Sequence, residues 1–192
     1  MIRNALASSR RSFLGSSSLT LSAAAVGLLA GRPALAAGSS SDMSRDVSIL
    51  NVALALEHEA INAYQLGATS GLLQKPVLDV AVLFQSHHKA HRDTLMATIE
   101  KMGGKPVPEK MLDDYAKALN AASLKSQADV LKLAAKLELG ATNAYLGVIP
   151  AFGDAKLGQV AARLAADETM HWTALSSALG TMLPTGALTF GA

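Results

Sequence analysis

Asp167-Glu168-Thr169-Met170-His171, with its echo His87-His88-Lys89-Ala90-His91, is the stretch on which the fold of this chain turns. A Glu and a His three apart on a helix share one face, one turn removed, and can grip a single cation from one side. Glu-x-x-His is common on surface helices, but here it lies inside a repeat. Upstream of His91 runs Glu57-His58-Glu59-Ala60-Ile61-Asn62-Ala63-Tyr64, and upstream of His171 runs Glu138-Leu139-Gly140-Ala141-Thr142-Asn143-Ala144-Tyr145. Glu57, Asn62, Ala63 and Tyr64 match Glu138, Asn143, Ala144 and Tyr145 at an offset of 81; His91 and Leu95 match His171 and Leu175 at an offset of 80. The chain reads as two copies of one helical hairpin, each with a Glu on its first helix and a His-bearing turn on its second.

Periodicity places the helices. Leu50, Leu54, Glu57, Ile61 and Tyr64 fall at three- and four-residue steps, predicting a helix from near Val47 to Ser70. A carboxylate inside that apolar stripe needs compensation, since an unpaired buried charge costs on the order of several kcal/mol. Pro76 opens the second helix, which runs to Met102 and stops at Gly103-Gly104, with Val77, Val80, Phe84, His88, His91, Leu95 and Ile99 facing inward. His87 falls at the edge of that stripe. Lys105 to Lys125 is the longest connection and holds a short helix, Glu109 to Asn120; a link of this length can carry the chain along the side of a bundle. The third helix, Ser126 to Ala151, repeats the first stripe through Leu131, Ala134, Glu138 and Tyr145, and Pro150 bends or ends it. Gly140 and Gly147 share one face and would admit a neighbouring helix closely. Asp154 caps a fourth helix that ends at Gly180, followed by a tail over 181–192.

The N-terminus reads as an address. Ser9-Arg10-Arg11-Ser12-Phe13-Leu14 looks like a twin-arginine export signal, which a receptor reads. The apolar run Leu19 to Ala30 that follows is too short to span a bilayer. Ala34-Leu35-Ala36 offers a signal peptidase its small residues, so residues 1–36 are expected to be removed after Ala36 by way of the twin-arginine export machinery. That places the mature chain in the periplasm or outside the cell, with a linker over 37–46 and one bundle domain over 47–180. The signal holds four arginines and no acid, so the formal charge of +2 becomes 13 basic against 15 acidic groups. Nothing then suggests a nucleic-acid partner, or a membrane partner after cleavage. The absence of cysteine excludes disulfides, iron–sulfur clusters and thiolate-bound zinc.

Two hairpins joined by one long crossover is the connectivity of an all-α, ferritin-like four-helix bundle, with a short extra helix in the crossover. In its di-metal carboxylate members two helices give one Glu each and two give Glu-x-x-His. The chain resembles that family over its mature length, most closely its exported bacterial members related to the desiccation-related proteins of plants. The resemblance implies that Glu57 and Glu138 are single-carboxylate ligands and that Glu168 with His171 forms one complete Glu-x-x-His. His88 stands where the other Glu is expected, before His91. A carboxylate can bridge two ions, whereas a neutral imidazole binds through one nitrogen. His88 is therefore expected to serve one ion, leaving a fuller oxygen set at Glu168 and His171.

Mixed carboxylate and imidazole donors suit one or two iron or manganese ions, with zinc a further occupant. The expected function is metal binding, with Fe(II) oxidation or peroxide reduction in stress protection, the stress role coming from the resemblance alone. The alternative is a metal-free bundle acting as a non-catalytic binding or protective protein, in which Glu57 pairs with His91 and Glu138 with His171. Six polar groups at symmetric core positions weigh against it, since apolar residues would stabilise the core at less desolvation cost. Glu59, whose repeat mate is Gly140, is expected in solvent, and His58 at the edge of the site. Tyr64 and Tyr145, seven residues past their Glu, lie too far along the axis to be ligands and need hydroxyl partners in the core. Assembly into a homo-oligomer is left open, because no shell-forming surface is visible in the sequence.

Overall fold

The computed structural model describes residues 39–191 of the 192-residue chain. The expected export signal over 1–36 and its cleavage site lie outside the described residues. Among the described residues are five α-helices and no strand: α1 Ser39–Thr69, α2 Lys75–Lys101, α3 Leu112–Ala118, α4 Gln127–Val148 and α5 Ala155–Ala178. Short 3-10 turns lie at Ala121–Ser123 and Ile149–Ala151. The all-α bundle of two hairpins is borne out.

Local chemistry sets the ends. Pro76 sits in the first turn of α2, where its missing N–H is no loss. Gly103, just past α2, and Gly180, just past α5, take φ of +76° and +67°, a backbone region where a side chain is strained. Asp154 accepts from the Lys156 N–H at 2.8 Å as the cap of α5. Pro150 converts the end of α4 into a 3-10 turn. The structure corrects the sequence reading at the start of α1, where the expected linker is already helix from Ser39. Asp46 in that stretch is buried and accepts from the Gly153 and Asp154 N–H groups at 2.9 and 3.1 Å. Gln127, 81 residues later, does the same for the other hairpin by accepting from the Gln74 N–H at 2.9 Å. The first helix of each hairpin thus holds the loop of the other.

α1 packs along α2 and α4 along α5, while the α1–α4 seam is far more open. Tyr64 reaches Glu138 and Tyr145 reaches Glu57, so α1 and α4 run antiparallel, as the long crossover requires. Two apolar clusters plug the bundle. One gathers Leu50, Leu54, Leu95, Ile99 and Leu164; the other gathers Phe84, Leu131, Ala135 and Leu175. Val80, placed inward by its periodicity, is 41 % exposed, and Ala81 and Gln85 are buried on α2 instead. The repeated asparagines tie down the segment next in the chain after each hairpin. Asn62 donates to Glu109 Oε1 in the crossover at 2.6 Å, and Asn143 accepts from the Gly191 N–H in the tail at 2.8 Å.

Candidate metal centre

Between the two apolar plugs, all four long helices turn a polar side chain inward. Glu57 comes from α1, His88 and His91 from α2, Glu138 from α4, and Glu168 and His171 from α5; all six are buried, none more than 7 % exposed. They form two overlapping groups in which one ligand-type atom from each residue lies within 4.8 Å of the others. One is Glu57, His88, His91 and Glu168; the other is His88, Glu138, Glu168 and His171. Every residue singled out from the sequence as a candidate ligand is here.

His88 and Glu168 belong to both groups. The His88 ring stands between the halves, with Nδ1 2.8 Å from Glu57 Oε2 and Nε2 3.2 Å from Glu138 Oε1. This revises the expectation that it serves one ion by position alone, because a different nitrogen faces each group. It also removes the expected surplus of oxygen donors at Glu168 and His171, since each group contains two carboxylates and two imidazoles. The pairing imagined for a metal-free bundle is present only in part. His171 Nδ1 lies 3.4 Å from Glu138 Oε2, and His91 Nδ1 lies 3.6 Å from Glu57 but 3.2 Å from Glu168 Oε1.

The tyrosines touch the centre crosswise. Tyr64 donates to Glu138 Oε1 and Tyr145 to Glu57 Oε1. Helical side chains lean towards their own N-terminus, so a Tyr two turns past its Glu reaches back to the Glu level of the antiparallel helix. The expectation that these hydroxyls need core partners holds, and the partners are the candidate ligands. Burial and a neighbouring carboxylate charge, Glu138 for Tyr64 and Glu57 for Tyr145, push both phenols well above their usual range, so they remain donors. Tyr145 thus fixes Glu57 Oε1 and leaves Oε2 to His88, whereas Tyr64 fixes the same Glu138 oxygen that faces His88, with Oε2 turned towards His171.

Sequence reasoning missed the groups behind the histidines. Asp167 Oδ2 lies 3.2 Å from His91 Nε2, and His87 Nδ1 lies 2.9 Å from His171 Nε2. Asp167 and His87 are themselves repeat mates at the offset of 80, each four residues before its own His and in contact with the other hairpin's. That offset was the available signal. His58, by contrast, is buried but turned away: its Nε2 meets the Val107 carbonyl at 3.2 Å and helps hold the crossover. Glu59 is half-buried rather than in solvent, and burial raises its pKa.

Burial opposes charge on every one of the six groups. At Glu57 the hydrogen bond from His88 and the adjacent His91 outweigh it and hold the carboxyl at about 2. Glu138, buried too, is held far below the carboxylate range by His171 and His88. Against their burial, carboxylates push His91 up to about 10 and raise His88 and His171. Burial wins only at Glu168, whose pKa is raised. Three buried inward atoms, His91 Nδ1, Glu138 Oε2 and Glu168 Oε1, find no hydrogen-bond partner despite their short separations. Donor atoms that converge without aligning on one another fit a shared cation better than a closed hydrogen-bond network.

The comparisons agree with this architecture. The model of the ferritin-like domain family matches residues 45–181, and the chain belongs to that family. No curated protein matches it. Among solved structures, it is similar to the crystal structure of a conserved hypothetical protein from Mycobacterium tuberculosis, at 22 % identity and a TM-score of 0.62. The match covers 77 % of this chain and 99 % of that one, and it shows the fold.

Proposed function

We propose that this chain is an exported ferritin-like protein that holds one or two iron or manganese ions in the buried cluster and works in the periplasm. One observation carries the reading: six buried ligand-type side chains from four helices form two four-residue groups joined through His88 and Glu168. Glu57, His91, Glu138 and His171 would be the terminal ligands of the two halves, with Glu168 common to both. A redox-active ion there would supply electron exchange, suited to Fe(II) as substrate or to peroxide. The protein's own part is positional. Tyr64 and Tyr145 aim the carboxylates, Asp167 and His87 hold His91 and His171, and the two apolar plugs limit access by water. Without cysteine the chain has no thiolate cluster of its own, so electrons would come from the substrate or a separate donor.

Elemental analysis of full-length protein, expressed and purified without chelators, tests the reading. Glu138→Ala and Glu168→Ala should each lose most of the bound metal, while Glu100→Ala, exposed on α2, should keep it. Equal metal content in all three, or none in the wild type, would favour the metal-free binding or protective bundle.

A further inference from the structure

The open seam between α1 and α4 encloses a cavity of about 830 Å³, within the size range of small-molecule sites. Small residues line the seam and leave the space unfilled: Ala60 and Ala63 on α1, and Gly140, Ala144 and Gly147 on α4. The sequence suggested that Gly140 and Gly147 bring another helix close. They do the opposite, since a Cβ built on either meets no atom within 4 Å. The walls are otherwise mainly leucine, valine and alanine, and the charged lining side chains outside the metal cluster are Glu59 and Lys136. Tyr64, His88 and Glu138 also line it, so the cavity is continuous with the polar cluster. One of its inner groups, Glu138, is 2 % exposed and keeps Oε2 without a hydrogen-bond partner.

From Val130 to Gly147 the cavity follows α4 for about 25 Å at 1.5 Å per residue, with Glu138 close to the midpoint. We propose that this slot binds a long-chain aliphatic molecule, laid along α1 and α4 with its middle beside the metal cluster. An elongated, mainly apolar slot suits a free polymethylene chain, each buried methylene contributing about 0.8 kcal/mol. Its aromatic lining is confined to Tyr64, already bonded to Glu138, which disfavours a flat aromatic ligand. The proposal names the kind of substrate the centre would meet and rests on the metal reading for that role alone; the slot itself is built from apolar walls.

Fluorescence titration with cis-parinaric acid, followed by displacement with palmitate, hexadecanol or butyrate, tests it on the full-length protein. Saturable binding of one probe per chain is expected, displaced by the two long chains and not by butyrate. Chelator-treated protein should bind equally, so loss of the metal reading would leave this result standing. Gly140→Leu with Gly147→Leu should weaken binding about tenfold or more while metal content and helicity stay at wild-type levels. Gly140→Ala with Gly147→Ala, whose methyl groups have room, should still bind and guards against misfolding. No saturable binding, or unchanged affinity in the double-leucine variant, would overturn the proposal. So would sedimentation of the wild type as a dimer that the double-leucine variant splits, which would assign the seam to a second copy of the chain.

Discussion

At the residue scale, the two halves of the cluster differ least in their ligand-type side chains and most in the groups standing behind them. Each group contains two carboxylates and two imidazoles, but His91 is backed by the Asp167 carboxylate and His171 by the His87 ring. Burial and the adjacent His171 push the His87 pKa down, which favours a neutral ring behind His171 rather than a charged partner. A carboxylate behind a ligating imidazole raises its basicity, and losing such a partner typically weakens metal affinity about 10–100-fold. The Glu57–His91 half should therefore hold its ion more tightly, the reverse of the order the ligand set alone suggested. One firmly held metal per chain after dialysis is expected, with a second under excess. His87→Asp should tighten the second about tenfold, and Asp167→Asn should weaken the first by a comparable factor. Competition titrations with a chelating dye would read both; identical affinities in wild type and His87→Asp would sink the assignment.

At the scale of elements, the repeat explains contacts that the helices taken singly would leave scattered. Asp46 and Gln127 hold opposite loops, Asn62 and Asn143 hold the crossover and the tail, and Tyr64 and Tyr145 exchange carboxylates. The first pair is unequal. Asp46 is 2 % exposed and accepts two backbone N–H groups at the start of α5, where a negative charge also suits the helix dipole. Gln127 makes one neutral, exposed contact. Asp46→Ala should cost about 1–3 kcal/mol in urea unfolding, and Gln127→Ala about 1 kcal/mol or less. Equal costs would show that the segment before Val47 is not integral to the bundle. That segment escaped the periodicity because Ser39 to Arg45 has Met43 as its one apolar residue, exposed, and the contact that anchors the helix there comes from the distant α4–α5 loop.

At the scale of the whole molecule, the buried cluster links stability to pH. Glu57, moved from 4.5 to about 2, stabilises the metal-free fold above pH 4.5, a contribution lost as pH falls through about 2. His91, moved from 6.5 to about 10, stabilises it below pH 6.5, a contribution lost as pH rises through about 10. Chelator-treated protein should therefore melt highest between pH 4.5 and 6.5. A bound ion needs the histidines unprotonated, so the gain in Tm from metal should widen from about pH 5 to about pH 8. Calorimetric scans with and without chelator would show it, and a constant or narrowing gap would count against a histidine-bound ion. Export is tested separately: Arg10→Lys with Arg11→Lys should trap unprocessed precursor in the cytoplasm, and a periplasmic chain starting at Ala37 would refute the signal type. The sequence by itself determined the number of helices, the crossover and all six candidate ligands, because helical periodicity and an internal repeat are local and written in residue order. Only the tertiary structure decided that His88 and Glu168 belong to both candidate groups, that each tyrosine reaches the opposite hairpin's carboxylate, and that the two glycines face a cavity. Those facts depend on how antiparallel helices set side chains of distant sequence level against one another, a distance that no spacing along a single helix contains.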